Sequence, residues 1–144
     1  MKIKRIIHIG VSMKDMDHVK KLYSEYLGLS ISHEEVYEGD VDICFVPVGE
    51  SQLEFFGDNK VTGRGRIAEV IAKQGAPGIH HIAFEVDDID AAVKELKDSG
   101  MPMLDQEPKP GAHGTRVAYI DPSATYGVTI ELVEETHGIE EKNT

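Results

Sequence analysis

Four residues of two metal-binding types recur at matching positions in the two halves of the chain. Each half has a histidine in its first apolar segment, His8 or His81, and a glutamate in its last, Glu54 or Glu131. Imidazole nitrogens and carboxylate oxygens together suit a divalent transition metal. An octahedral ion held by four protein ligands would keep positions open for water or substrate oxygens. The pattern therefore predicts a catalytic metal site rather than a structural one.

Each of these four residues lies in a segment that is predicted to be a strand. Residues 4–12 alternate Ile7 and Ile9 with His8, which is typical of a strand with one apolar face. The sequence of residues 78–86 predicts the equivalent strand in the second half, and this strand carries His81. Because successive side chains of a strand point to opposite faces, the four polar groups are expected on one side of the sheet.

The remaining segments repeat the same order of elements. In each half, apolar residues at helical spacing follow the first strand. They predict one helix that ends at Gly28 and another that ends at Gly100. Later strands are predicted at residues 41–46 and 51–56, and at 115–120 and 128–134. The sequence thus predicts one α+β domain over residues 1–144. Its parts are module one at about 4–57, a connecting helix at about 64–75, module two at about 78–134 and an acidic tail at 135–144.

Composition excludes several classes of function. The 144 residues include 15 Lys and Arg against 26 Asp and Glu, a net charge of −11, so there is no basic surface for nucleic acid. Cys44 is the sole cysteine, which excludes an intrachain disulfide and a four-cysteine zinc site. The apolar run after Arg5 is broken at His8, which leaves no signal-peptide core and no membrane span. We expect a cytoplasmic protein with no membrane partner.

Three motifs carry a resemblance to a known family: Gly78–Ala83 running into Val86–Ile89, Glu107–Gly114, and Gly127–Leu132. They resemble the vicinal oxygen chelate superfamily and, within it, the methylmalonyl-CoA epimerase family, over nearly the whole chain. The resemblance implies two paired βαβββ modules that form a cupped, partly open barrel-like sheet around a metal. It also implies a homodimer, and it implies the metal ligands His8, Glu54, His81 and Glu131.

A reaction follows from the same resemblance. It implies interconversion of the (R) and (S) forms of methylmalonyl-CoA, or of a close acyl-CoA, through a metal-stabilised enolate. Two carboxylates would move the proton, and the resemblance assigns these roles to Glu131 and Asp42. Cobalt is the first metal expected, and manganese, nickel or zinc suits the same donors.

Three alternatives share this fold. A glyoxalase I-type lactoylglutathione lyase uses the same ligand types for a related proton transfer. A metal-free protein that sequesters a ligand would not need the four donors, and an extradiol dioxygenase would not need Glu54 as a fourth one. Residues 55–67 depart from the epimerase pattern, so the acyl group could differ.

A few other polar residues are weaker candidates for the site. Arg64 and Arg66 in the departing loop, with Lys109 and Arg116, could contact the phosphates of a CoA ester. His113 lies in a glycine-bounded segment that could form a lid. Other histidines have no counterpart in the opposite half and receive no role; these are His18, His33 and His137.

Overall fold

The structure, a computed structural model, describes residues 1–63 and 66–136. The strands in these residues are Ile3–Ser12 (β1), His33–Tyr37 (β2), Val41–Val48 (β3), Ser51–Asp58 (β4), Gly78–Val86 (β5), Lys109–Pro110 (β6), Arg116–Tyr119 (β7) and Ile130–Glu134 (β8). The α-helices are Met16–Lys20 (α1), Ile67–Gln74 (α2) and Ile89–Asp98 (α3). A π-helical segment, Lys21–Tyr26, continues α1, and short 3₁₀ turns lie at Ala112–Gly114 and Pro122–Ala124. In the part of the chain described, no helix combines the length and apolar character needed to cross a membrane.

The chain divides into two compact units, residues 8–80 and residues 1–7 together with the described residues from 81 onward. The first seven residues thus belong with the second half of the chain. In the unit of residues 8–80 the strand order is β2, β3, β4, β1. Here β3 pairs antiparallel with both β2 and β4, and β1 runs parallel to β4. One face of this sheet packs under α1 and the π-helical segment, on a buried core of Met13, Cys44, Val46 and Phe55.

The other unit has the strand order β1, β5, β8, β7, β6, with β5 parallel to β8 and β7 antiparallel to it. Helix α3 covers one face of this sheet. The main buried core residues are Val86, Ile89, Ala92, Val93, Met103, Ala118, Ile120 and Leu132. On the other face, a second buried cluster comprises Ile7, Ala83, Val117 and Val133. In each unit, helical residues therefore pack against one face of the strands, and the opposite face carries a different set of side chains.

Equivalent aspartates begin the helices that follow β1 and β5. The Asp15 carboxylate accepts a hydrogen bond from the backbone N–H of His18 at 3.1 Å, and Asp88 accepts one from Ala91 at 3.0 Å. Each satisfies one N–H group that the first helical turn leaves without a partner. The connecting helix ends at Gly75, whose φ of 93° is accessible to glycine at little cost. These features confirm the predicted α+β class and the duplicated order of elements.

Strand β2 is an element that the sequence analysis does not predict. Its residues, His-Glu-Glu-Val-Tyr, include three ionisable side chains in succession and show no apolar alternation. Within residues 8–80 the strand lies at the edge of the sheet and pairs with β3. Charged side chains are common on edge strands because they discourage pairing with other chains. The polar composition that prevents prediction of this strand from the sequence is therefore consistent with its edge position.

Burial protects the single cysteine from reaction. The Cys44 residue is 1% exposed, and burial raises the pKa of its thiol above the ordinary value. Both effects lower the amount of reactive thiolate. We expect Cys44 to react with Ellman's reagent at pH 8 at least about 100-fold more slowly in the native protein than in urea. Rapid labelling of the native protein, followed by absorbance, would contradict this placement of β3.

Candidate active site

In the unit of residues 8–80, the predicted ligands His8 and Glu54 lie side by side. Parallel pairing places Gly10 of β1 opposite Glu54 of β4, so His8 precedes the register partner of the glutamate by two residues. The distance from His8 Nε2 to a Glu54 carboxylate oxygen is 3.1 Å. His8 is 6% exposed, and the Glu54 side chain is 12% exposed. The structure therefore brings this predicted pair together in a largely buried position.

The second unit contains a matching pair. Here Ala83 of β5 lies opposite Glu131 of β8, and His81 again precedes the register partner by two residues. The distance from His81 Nε2 to a Glu131 carboxylate oxygen is 4.0 Å, and both residues are buried. The ring of Tyr119 meets the His81 imidazole edge-on, with 5.8 Å between the ring centres. His81 and Glu131 are thus close enough to ligate one ion.

The chemistry of these pairs fits a divalent metal. Burying a carboxylate is costly unless a charge or hydrogen-bond donor compensates it. Each pair combines such a carboxylate with an imidazole, and these are the donor types that cobalt, manganese, nickel and zinc accept. Because the two pairs occupy the same register position in two duplicated units, the arrangement belongs to the repeated fold. In each pair, one imidazole nitrogen and one carboxylate oxygen are the atoms that could donate to an ion.

Asp42, the predicted second proton-transfer residue, lies on the other face of its strand. Its register partner on β4 is Gly57, whereas Glu54 pairs with Phe45. A Cβ atom added at Gly57 would lie 2.9 Å from the Met13 carbonyl oxygen, which shows how closely this face is packed. The Asp42 carboxylate accepts hydrogen bonds from the Asn59 side chain at 2.8 Å and from the Lys60 backbone at 3.2 Å. Its catalytic assignment stays a prediction, since the structure does not place it beside Glu54.

The cations proposed as phosphate contacts are already paired with carboxylates. Arg66 binds Glu38, which raises the pKa of the guanidinium, and Arg116 donates two hydrogen bonds to Asp90 at 2.6 and 3.0 Å. The Arg116 guanidinium in turn holds the pKa of the Asp90 carboxyl below its ordinary value. Arg64 lies outside the described residues. A phosphate at Arg66 or Arg116 would have to compete with these ion pairs.

Lys109 lies nearer to the candidate site than these two arginines. Its ammonium group is 3.0 Å from an Asp105 carboxylate oxygen and 5.3 Å from the centre of the Tyr119 ring. That same ring contacts the His81 imidazole in a T-shaped arrangement. Lys109 and His81 therefore contact the same side chain, Tyr119. The predicted contact between Lys109 and a phosphate stays a prediction.

Two further histidines, His80 and His113, differ from the predicted ligands in their surroundings. His80, the neighbour of His81, packs edge-on against Phe56, with ring centres 5.4 Å apart. His113 is exposed and has a φ of 56°, in the left-handed region that non-glycine residues rarely adopt. A role for His113 in a lid stays a prediction.

Comparison with known proteins identifies the family. The sequence profile of the Glyoxalase/Bleomycin resistance protein/Dioxygenase superfamily matches residues 7–119. The chain belongs to this superfamily. The match confirms the resemblance to the vicinal oxygen chelate proteins that the motifs indicate, and it covers both histidines and Glu54 of the candidate site.

Two relatives within the superfamily indicate the enzyme family of this chain. Bovine mitochondrial methylmalonyl-CoA epimerase is 33% identical over 129 residues, which cover 89% of this chain and 73% of that protein. The ethylmalonyl-CoA/methylmalonyl-CoA epimerase of Cereibacter sphaeroides is 32% identical over 133 residues, 90% of this chain and 97% of the relative. This member of the superfamily is thus an enzyme of the epimerase family.

Solved structures agree with this assignment. A variant of Streptomyces coelicolor methylmalonyl-CoA epimerase in complex with 2-nitronate-propionyl-CoA has a TM-score of 0.83 and 30% identity to this chain. The likeness covers 94% of this chain and 96% of that one. Because it spans both units, the fold of this superfamily member is that of the epimerases.

Proposed function

We propose that this enzyme is a metal-dependent epimerase that interconverts the (R) and (S) forms of methylmalonyl-CoA or of a close acyl-CoA. The observation that most supports the proposal is the repetition of a buried histidine and glutamate pair at the same register position in both units. Such a duplicated donor set suits an ion that binds a substrate through two oxygens. The names and substrates of the epimerase relatives supply the acyl-CoA class.

The proposal assigns one divalent ion to His8, Glu54, His81 and Glu131, with cobalt as the first candidate and manganese, nickel or zinc as alternatives. An ion bound there would supply positive charge where negative charge develops on the substrate oxygens. The protein residues would fix its position through short side chains on strands, which are more rigid than loops.

The residues of the chain must then move a proton at the carbon between the thioester and the carboxylate. In the proposed step, a Glu131 carboxylate oxygen takes the proton from that carbon, and the electron pair of the C–H bond moves towards the thioester carbonyl. A second group returns a proton to the opposite face of the carbon, which inverts it. Each well-placed proton-transfer group contributes a rate factor of about 10²- to 10⁴-fold.

Apolar side chains surround the first pair and suit a small acyl group. Phe45 lies opposite Glu54 on β3, and its ring is 6.3 Å from that of His8. Ile43 and Phe56 lie opposite each other two residues further along the same face, and all three side chains are buried. They would exclude water from the reacting carbon, which strengthens electrostatic interactions at the site. The cytoplasmic location and the homodimer stay predictions alongside this proposal.

Proton exchange followed by NMR tests the function directly. The metal-loaded protein is mixed with (R)-methylmalonyl-CoA in D₂O, and loss of the α-proton signal is recorded together with formation of the (S) epimer. We expect exchange and epimerisation well above the rate without protein. If neither occurs with any of the four metals, the epimerase proposal fails. Methylglyoxal with glutathione would then test the glyoxalase alternative, and ligand binding without turnover would indicate sequestration.

A further inference from the structure

We propose that Phe45 is the residue that limits the length of the acyl side chain that this enzyme accepts. The inference rests on the proposed epimerase function, and it narrows the substrates to malonyl-CoA esters that carry a methyl or an ethyl group. Every residue on which it depends lies within residues 8–80, the unit that contains the His8 and Glu54 pair.

Strand register places Phe45 beside this metal-binding pair. Phe45 of β3 is the strand partner of Glu54 on β4. Cross-strand partners lie on the same face of a sheet, with their Cβ atoms about 4.5–5.5 Å apart. The Phe45 ring also meets the His8 imidazole in a T-shaped contact, with 6.3 Å between the ring centres. Phe45 is thus an apolar side chain that contacts one donor of the pair and lies next to the other.

The two sides of Phe45 along β3 differ in exposure, and this difference indicates how a substrate would lie. On one side, the next residue of the same face is Pro47, which is exposed. On the other side it is Ile43, which is 5% exposed. Burying the polar CoA group would be costly, so that group would leave on the exposed side. The short acyl side chain, bound beside Glu54, then lies against Phe45 and the buried side.

Contacts on two sides hold the Phe45 ring in place. Its centre is 6.0 Å from the centre of the His33 imidazole, which belongs to the strand partner of Phe45 on β2. A Glu35 carboxylate oxygen is 3.2 Å from His33 Nε2 and holds that imidazole in turn. Phe45 is itself buried. Because turning the ring aside would disturb His8 or His33, the ring cannot withdraw to admit a longer acyl chain.

Ile43 and Phe56 continue the apolar surface further from Glu54. Phe56 follows Glu54 by two residues on the same face of β4, a separation of about 7 Å, and Ile43 is the strand partner of Phe56. The Phe56 ring packs edge-on against His80, with 5.4 Å between the ring centres. Phe45 therefore lies nearer to the pair than these two side chains do.

A fixed apolar ring selects among acyl chains by their size. One methylene group that an apolar site does not accommodate typically lowers kcat/KM by a factor of about 10–200. Propylmalonyl-CoA carries two methylene groups more than methylmalonyl-CoA. For the wild-type enzyme we therefore expect kcat/KM for the propyl ester to be at least about 100-fold below that for the methyl ester.

Epimerisation of the methyl, ethyl and propyl esters by two metal-loaded variants tests this inference. We expect the ratio of kcat/KM for the propyl ester to that for the methyl ester to rise at least about 10-fold in Phe45→Leu and at least about 100-fold in Phe45→Ala. The ratio is measured because general damage to the fold or to His8 lowers the rate for every ester alike. If Phe45→Ala does not fold, Phe45→Leu decides the test.

Phe55→Leu is the matched control. Phe55 is 1% exposed and lies on the opposite face of β4, where its ring packs against Tyr23 with 4.7 Å between the ring centres. The same substitution there removes the same atoms from a buried position. It should therefore leave the ratio between the propyl and methyl esters unchanged.

Titration calorimetry adds a measurement that does not depend on turnover. Each ester is added as the equilibrated mixture of its two epimers, so the metal-loaded enzyme catalyses no net reaction. The Kd for the propyl ester, divided by the Kd for the methyl ester, should fall at least about 10-fold in Phe45→Leu.

The outcomes distinguish failure of this inference from failure of the proposed function. An equal loss of kcat/KM for all three esters in Phe45→Leu would overturn the inference, because Phe45 would then act only as structural support for its neighbours. A wild-type enzyme that epimerises the propyl ester as fast as the methyl ester would also overturn it. So would an equal change of the ratio in Phe55→Leu. A wild-type protein that epimerises none of the three esters would instead overturn the proposed function.

Discussion

Replacing Glu131 by Gln should suppress both epimerisation and α-proton exchange, whichever epimer is supplied. The substitution removes a proton-transfer group, which by itself is expected to cost about 10²- to 10⁴-fold in rate. It also replaces an anionic metal ligand by a neutral one, which weakens the electrostatic stabilisation of the developing charge. The loss should therefore be of similar size from either epimer. NMR in D₂O measures both quantities in one sample.

Glu85→Gln provides a matched control for this variant. Glu85 is another buried glutamate of the same unit, and its carboxylate is ion-paired with Arg5 at 2.7 Å. We expect this substitution to lower the free energy of unfolding by about 1–3 kcal/mol, because a charged hydrogen bond is lost, and to leave exchange within a few-fold of wild type. Comparable exchange in Glu131→Gln and wild type would remove Glu131 from the reaction.

The strongest patterns in the sequence predict the elements that position the metal donors. Apolar alternation around His8 indicates a strand because Ile7 and Ile9 flank the histidine, and His81 lies in a mainly apolar run that follows Gly78. The duplication then identifies equivalent glutamates without any knowledge of the sheet. The parallel register is known only from the structure. In each unit the histidine lies two residues before the strand partner of the glutamate.

The acid-base residues are harder to predict, because a single residue of register decides the face of a strand. Asp42 and Ile43 are neighbours, yet Ile43 shares the face of Glu54 and Asp42 does not. Neither periodicity nor duplication could therefore have shown on which face of β3 Asp42 lies.

Ion pairs between distant residues are also invisible to sequence analysis. Arg66 and Arg116 are available cations when only the chain is known. In the structure they bind Glu38 and Asp90, which are 28 and 26 positions away. Tertiary pairing of this kind determines whether a cation is available to a ligand, so the phosphate contacts could not be assigned from charge alone.

Binding of the metal itself should stabilise the folded protein, and this effect can be measured without any substrate. A ligand that binds the folded state alone adds about 2.7 kcal/mol at a concentration 100 times its Kd. For a chain of this length, that corresponds to a rise in melting temperature of roughly 8 °C. We expect chelator-treated protein to show such a rise on addition of cobalt, followed by differential scanning calorimetry.

Single substitutions in each pair distinguish one shared ion from two separate ones. If one ion takes donors from both pairs, His8→Ala and His81→Ala should each abolish most of the stabilisation by cobalt, and titration calorimetry of the wild type should give one ion per chain. His18→Ala should retain the full shift. A shift that survives in either variant, or a stoichiometry of two, would contradict the four-residue site. The outcome bears on the reaction as well, because His8, Glu54, His81 and Glu131 would then hold an ion that would supply positive charge to the substrate oxygens.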